Sequence, residues 1–196
     1  MLGFADGTTI AIIVVVALLV ILLITVPLWV MLSYNKFIKL RNNVDEAFST
    51  MDVQMKKRYD LIPNLVETVK GYATHENSTL ENVMKARYAA MNSSTVEQRI
   101  DNENILQGAL KSLFAVSENY PNLQANQNFL DLQQTLKTLE EEIAASRRFY
   151  NGNVKAYNVM RESFPSNLIA GIFRFEKKAL FEVSAEEERV APKVEF

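Results

Sequence analysis

The stretch FIKLRNNVDEAFSTMDVQMKKRYDLIPNLVETVKGY, Phe37 to Tyr72, decides how the rest of the chain is read. Its apolar stripe is Phe37, Leu40, Val44, Phe48, Met51, Met55, Tyr59, Ile62, Leu65, Val69 and Tyr72, in steps of three and four. That is the period of one helix face, whereas a strand would alternate every second residue. The stripe keeps its phase through Pro63. The pattern therefore predicts one long helix bent at the Ile62–Pro63 step, since proline removes a donor and crowds the preceding turn without shifting the stripe.

Upstream lies a different kind of helix. Ile10 to Leu32 holds no charge, and only Thr25 and Pro27 depart from simple apolar residues. At 1.5 Å per residue the run is roughly 34 Å long, enough to cross a hydrocarbon core of ~30 Å. The sequence predicts a transmembrane anchor over 10–33 that continues into the first soluble helix with little or no break. Trp29 and Tyr34 fall where an interfacial aromatic belt belongs. A cleaved signal peptide fits poorly: no Lys or Arg precedes the run, the run exceeds an h-region, and no small-x-small site follows. Residues 1–9 carry only Asp6, whereas Lys36, Lys39 and Arg41 follow the span. The positive-inside rule then makes 1–9 a short extracytoplasmic N-terminus and puts the domain over 34–183 in the cytoplasm. The three basic residues are the expected lipid contacts, each worth about 1 kcal/mol near an anionic surface.

Downstream, His75-Glu76-Asn77-Ser78-Thr79 reads as a turn, with Ser78 as N-cap and Glu81 completing a capping box. A short helix follows to about Met91. After Asn92-Ser93-Ser94-Thr95 another runs to about Asn119, with Val96, Ile100, Leu106, Leu110, Leu113 and Val116 on its apolar face. Tyr120-Pro121-Asn122 ends it. The last long segment has the clearest period: Phe129, Leu132, Leu136, Leu139, Ile143, Ser146, Tyr150, Asn153, Tyr157, Met160 and Phe164. Such a heptad seam suits a helical bundle or coiled coil, with Ser146 and Asn153 as register-setting polar positions. The fold class is all-α: an N-terminal transmembrane helix, then an antiparallel bundle of about four helices, two of them long and heptad-patterned. Beyond Phe164-Pro165 lies an apolar docking segment, 165–183. Its Leu168, Ile169, Ile172, Phe173, Phe175, Leu180 and Phe181 are too apolar to leave in water. They are the candidate assembly contact, to be docked on the bundle, on a neighbouring subunit or at the membrane surface. Residues 184–196 read as a solvated, flexible tail.

Composition removes several function classes. There is no cysteine and a single histidine, so disulfides, thiolate metal sites, a structural zinc site and His-Glu-x-x-His chemistry drop out. The net charge of −2 carries no basic excess for nucleic acid. Glu140-Glu141-Glu142 point in three directions from a helix and read as a solvated face rather than a catalytic pair. Lys56-Lys57-Arg58 lies too far along the helix from the headgroups for lipid contact and is expected to pair with acids on neighbouring helices. Arg58, Tyr59, Asp60 and Asn64 around Pro63 form the most distinctive polar group. They would satisfy carbonyls freed at the bend, or join Arg147, Arg148, Tyr150 and Asn151 in a polar network; a ligand or partner site is the other reading. No cofactor is expected.

Several segments resemble the LemA family of bacterial membrane proteins. The matching stretches are Tyr34-Asn35, Met51 to Gln54, Lys57 through Ala73 (KRYDLIPNLVETVKGYA), His75-Glu76, Leu80-Glu81 and Ala86-Arg87. Further on they are Tyr120 to Asn126, Asn128-Phe129-Leu130, Arg147 to Asn151, Tyr157-Asn158 and Phe164 to Ala170. The resemblance implies a helical bundle behind one anchor in the bacterial inner membrane, and it supplies no catalytic residues. The position after Phe173 is often Gly in such relatives and is Arg174 here. It also implies a possible link to membrane quality control through a membrane protease. The sequence thus points to a non-enzymatic membrane-anchored scaffold on the lipid bilayer, acting as a homo-oligomer. The alternative is a signalling or quality-control adaptor working with another membrane protein.

Overall fold

The computed structural model describes residues 7–182, so the 184–196 tail and most of the N-terminal flank lie outside the described residues. The described residues form six helices and no strand: α1 (Gly7–Lys70), α2 (Asn77–Met91), α3 (Val96–Ser117), α4 (Pro121–Gln124), α5 (Gln127–Glu162) and α6 (Ser166–Ile172). The all-α bundle expected from the periodicity is what forms. α1 is unbroken from the apolar run through Pro63, as the continuous stripe required. Two short helices, α4 and α6, add to the four anticipated. The chain divides into two compact units, Met1–Asn43 with Ala156–Lys177 and Val44–Lys155 with Lys178–Phe196.

In the first unit, α1 is long and apolar enough to cross a membrane. Its large apolar side chains from Ile10 to Leu28 all stand exposed. Burial begins at the end of that run. Trp29 and Val30 are half-buried, and Ser33 and Phe37 are buried. The covering is aromatic: Phe175 stacks on Phe37 with ring centres 4.6 Å apart, Tyr157 meets Phe37 edge-on at 6.1 Å, and Phe173 leans on Tyr34 at 4.8 Å. Ile169 and Ala170 of α6 are buried too. α6 ends in a Schellman turn: the Phe175 N–H donates to Ala170 O at 2.9 Å and the Arg174 N–H to Gly171 O at 3.4 Å. The residue between those bonds must be left-handed, and it is Arg174, with φ 54°. This is the position where the resembling family often has glycine, and the tight turn forms with arginine in it.

In the second unit, the core is drawn from the predicted faces. Val44, Met51, Met55, Tyr59, Ile62, Leu65 and Val69 of α1 are buried, with Phe129, Leu136, Leu139, Ile143 and Tyr150 of α5. α2 contributes Leu80, Val83, Ala86 and Ala90, and α3 contributes Ile100, Leu106, Leu110 and Leu113. Each fully buried aliphatic side chain stabilises the fold by about 1.5–3 kcal/mol.

The structure corrects some boundaries. α2 starts at Asn77, with Glu76 in the cap position and no side-chain cap, so Ser78 lies inside the first turn rather than capping it. The Leu80 N–H already bonds Glu76 O, two residues earlier than a Ser78 cap allows. Thr95 is a true cap, its hydroxyl accepting from the Gln98 N–H. α3 stops at Ser117 rather than Asn119, because the next three amides bond back three residues and tighten the turn. Two stripe residues fall off their faces: Tyr72 is 41% exposed and Phe164 81%.

Candidate functional site

The second unit closes around a buried cation. Arg58, beside the apolar stripe of α1, is 1% exposed. Its guanidinium donates to the Glu103 carboxylate of α3 and to the Glu140 carboxylate of α5. The Tyr59 hydroxyl donates to the second oxygen of Glu103. Arg87 Nε of α2 donates to the Tyr59 carbonyl at 2.7 Å, so three helices are tied to one turn of α1. A further ion pair, Arg99 of α3 with Asp52 of α1, lies on the same flank. Burial alone would lower the Arg58 pKa, but the Glu103 and Glu140 carboxylates reverse this and raise it. Burial, and then the Glu103 charge, push the Tyr59 hydroxyl far up. The guanidinium therefore stays charged and the phenol neutral.

The residues expected to cluster around Pro63 separate. Arg58 and Tyr59 turn inward, Pro63 is half-buried, and Asp60 and Asn64 are exposed. The proposed link to Arg147, Arg148, Tyr150 and Asn151 does not form: the buried partners are Glu103 and Glu140 instead. The reason is helical phase. Glu140 stands next to Leu139 on the buried face, so one acid of Glu140-Glu141-Glu142 turns in while the other two stay exposed. Glu103 carries a readable signal in the sequence, an acid between Ile100 and Leu106 on the apolar face of α3.

The α5 group instead clamps the chain's last described segment. The Tyr150 hydroxyl donates to Ala179 O at 2.9 Å. Asn151 mimics a backbone: its amide donates to Phe181 O at 3.0 Å and its oxygen accepts from the Phe181 N–H at 2.8 Å. Arg147 lies over the Phe181 ring at 5.3 Å. Arg148 is exposed. Burial, followed by the charges of Glu97 and Asp45, pushes the Tyr150 hydroxyl up to about 12. In the first unit the segment just before it is held by the Tyr157 hydroxyl on Glu176 O at 3.0 Å and Arg161 Nε on Phe175 O at 2.9 Å. The docking residues thus divide. Ile169, Phe175 and Phe181 are buried in cis, while Leu168, Ile172, Phe173 and Leu180 remain exposed. Of the membrane-interface residues, Trp29 is half-buried, Tyr34 packs on Phe173, and Lys36, Lys39 and Arg41 are exposed.

An open groove runs between α3 and α5, lined by Leu110, Phe114, Leu130, Leu136, Ala144 and the outer side of Glu140. Among the described residues no group of His, Cys, Asp or Glu is placed to hold a metal.

Residues 47–196 match the LemA family. Protein LemA of Metamycoplasma hominis is 29% identical over 161 residues, covering 80% of this chain and 71% of that protein. Magnetosome protein MamQ 2 of Paramagnetospirillum magneticum is 24% identical over 195 residues, covering 85% and 72%. Magnetosome protein MamQ of Magnetospirillum gryphiswaldense is 23% identical over 177 residues, covering 77% and 65%. With its apolar N-terminal helix and helical domain, this chain is a membrane-associated helical protein, and it belongs to the LemA family.

Proposed function

We propose that the protein is a non-enzymatic, membrane-anchored scaffold, held in the inner membrane by α1 with its N-terminus outside and its helical domain in the cytoplasm. The observation that carries this reading is the closure of the buried charges. Arg58, Glu103, Glu140 and Tyr59 bond to one another, with the buried Arg58 Nε left over, and of these only Glu140 reaches the α3–α5 groove, where Arg58 already holds it. A catalytic site needs convergent groups left available to a substrate in a cleft. These groups are instead spent on joining helices. A rigid domain on a membrane tether presents surfaces to copies of itself and to other membrane proteins. The relatives named as magnetosome proteins fit such a membrane-organising role.

Self-association is tested on the full chain in mild detergent, by light-scattering mass across a concentration series. A defined oligomer is expected, and a monomer throughout refutes it. Cutting the chain after Phe164 is not a clean test, because Ile169, Phe175 and Phe181 are core residues in cis.

A second reading, a transmembrane signalling or quality-control adaptor acting with a partner such as a membrane protease, is favoured by one observation: α1 is a single helix from Gly7 to Lys70. Replacing Asn35 and Lys36 by glycines weakens that continuity by about 1 kcal/mol of helix propensity. Loss of crosslinking-detected partner response with helix content retained is the expected outcome; an unchanged response rejects the relay.

A further inference from the structure

α6 and its flanks leave an apolar surface largely uncovered among the described residues. Phe164 is 81% exposed, Ile172 72%, Leu168 55% and Phe173 45%. Leu168 and Ile172 are one helical turn apart, on the face of α6 opposite the buried Ile169 and Ala170. In water such a patch is costly. Its height relative to the membrane span follows from contacts inside the first unit. The segment after α6 leaves Tyr34 at Phe173, stacks on Phe37 at Phe175, and reaches the Tyr157 hydroxyl at Glu176. It therefore climbs away from the span. On α5, Arg161 meets Phe175 and Tyr157 meets Glu176, so α5 descends toward the span as its numbering rises. The end of α5, Phe164 and α6 then lie on the span side of Phe37. Protein cover on α1 begins at the same place, with Trp29 and Val30 half-buried and Ser33 buried. Trp29 and Val30 belong to the apolar run itself.

We propose that α6 is an interfacial wedge whose Phe164, Leu168, Ile172 and Phe173 side chains insert into the acyl region of the bilayer beside the last turn of the span. Leu28, Met31 and Leu32 of α1, at the end of the surface that the anchor gives to lipid, are exposed as well. Charges sit just behind it. Lys177 pairs with Glu162 at 3.3 Å, and Arg174, Lys36 and Lys39 are exposed, with basic groups outnumbering acids. Apolar side chains backed by basic ones are the arrangement of an interfacial helix on an anionic leaflet. Arg174 fits it twice, closing the α6 turn and projecting a long cation that can reach headgroups.

The proposal rests on α1 being the anchor, and the test separates the two. The chain has no cysteine, so single substitutions label one site each. Full-length Leu168→Cys, Ile172→Cys, Leu19→Cys and Tyr88→Cys proteins are spin-labelled and reconstituted into phosphatidylcholine vesicles with a quarter phosphatidylglycerol. Collision rates with oxygen and with a water-soluble nickel complex are compared. Labels at 168 and 172 are expected to favour oxygen several-fold over the label at 88, approaching the label at 19. Nickel access at 168 and 172 equal to that at 88, with 19 still in lipid, overturns the wedge and leaves the anchor standing. Spin–spin broadening at 168 and 172 without oxygen preference overturns it in favour of a second copy. Water access at 19 overturns the anchor, and the wedge with it.

Discussion

Glu103→Leu is the sharpest test of the buried network. The substitution removes the acid that holds the Arg58 guanidinium, whose side chain is 2% exposed. Breaking a buried ion pair from one side costs about 3–5 kcal/mol, because the remaining charge stays desolvated. Glu140 remains as a partner, with its side chain 34% exposed, which moves the expected loss toward the lower end. The Tyr59 hydroxyl loses its acceptor as well, adding about 1 kcal/mol. The expected destabilisation is therefore about 4 kcal/mol, a large share of a total of roughly 5–15 kcal/mol. The double variant Arg58→Met/Glu103→Leu removes both charges and fills similar volume, and it is expected within about 1 kcal/mol of the parent. Guanidinium unfolding of the full chain in detergent, followed by far-ultraviolet circular dichroism, measures each. A loss below about 0.5 kcal/mol for Glu103→Leu, the range of surface changes, would refute the closed network. So would a double variant as unstable as the sum of its singles.

Two further outcomes follow from the same geometry. Arg174→Gly relieves a left-handed residue costing about 1–2 kcal/mol, offset by roughly 0.5–1 kcal/mol of extra glycine freedom in the unfolded chain, so stability rises by about 0.5–1 kcal/mol in the same unfolding assay; a loss would mean the arginine side chain contributes more than its backbone costs. The Tyr150 hydroxyl, raised to about 12 from an ordinary 10.0, keeps its proton in the folded chain while the unfolded one ionises. Its contribution is whole below pH 10 and declines between pH 10 and 12, by about 2–3 kcal/mol in all. Thermal melts over that range should steepen their decline in the parent and flatten partly in Tyr150→Phe, with Tyr59 keeping the remaining slope; identical pH profiles would show that Tyr150 titrates normally.

The fold was legible because its core is written as period. The α1 stripe and the α5 seam each keep their phase for many turns, and a buried helix face demands that phase whatever lies around it. What the period could not reveal was local bonding. α4 and α6 are too short to show a stripe, and the start of α2 was set by which carbonyl the Leu80 amide reaches, not by which residue caps best. The docking segment was legible as apolar but not as divided. Ile169 and Leu168 are neighbours of equal hydrophobicity, and only the helix that carries them puts one in the core and leaves the other bare.

The polar network was half-legible for a related reason. Arg58 and Tyr59 stood out as polar residues beside Pro63, and a lone acid on the apolar face of α3 marks Glu103 as their counterpart. Glu140 was harder. In a run of three acids the composition says surface, and only the phase set by Leu139 and Ile143 says that the first of them turns in. An apolar face interrupted by one charge needs a counter-charge on another interrupted face. Arg58 and Glu103, on α1 and α3, are each the buried charge of their stripe, so they specify each other. The network that joins these helices is therefore encoded by mismatches, one per helix.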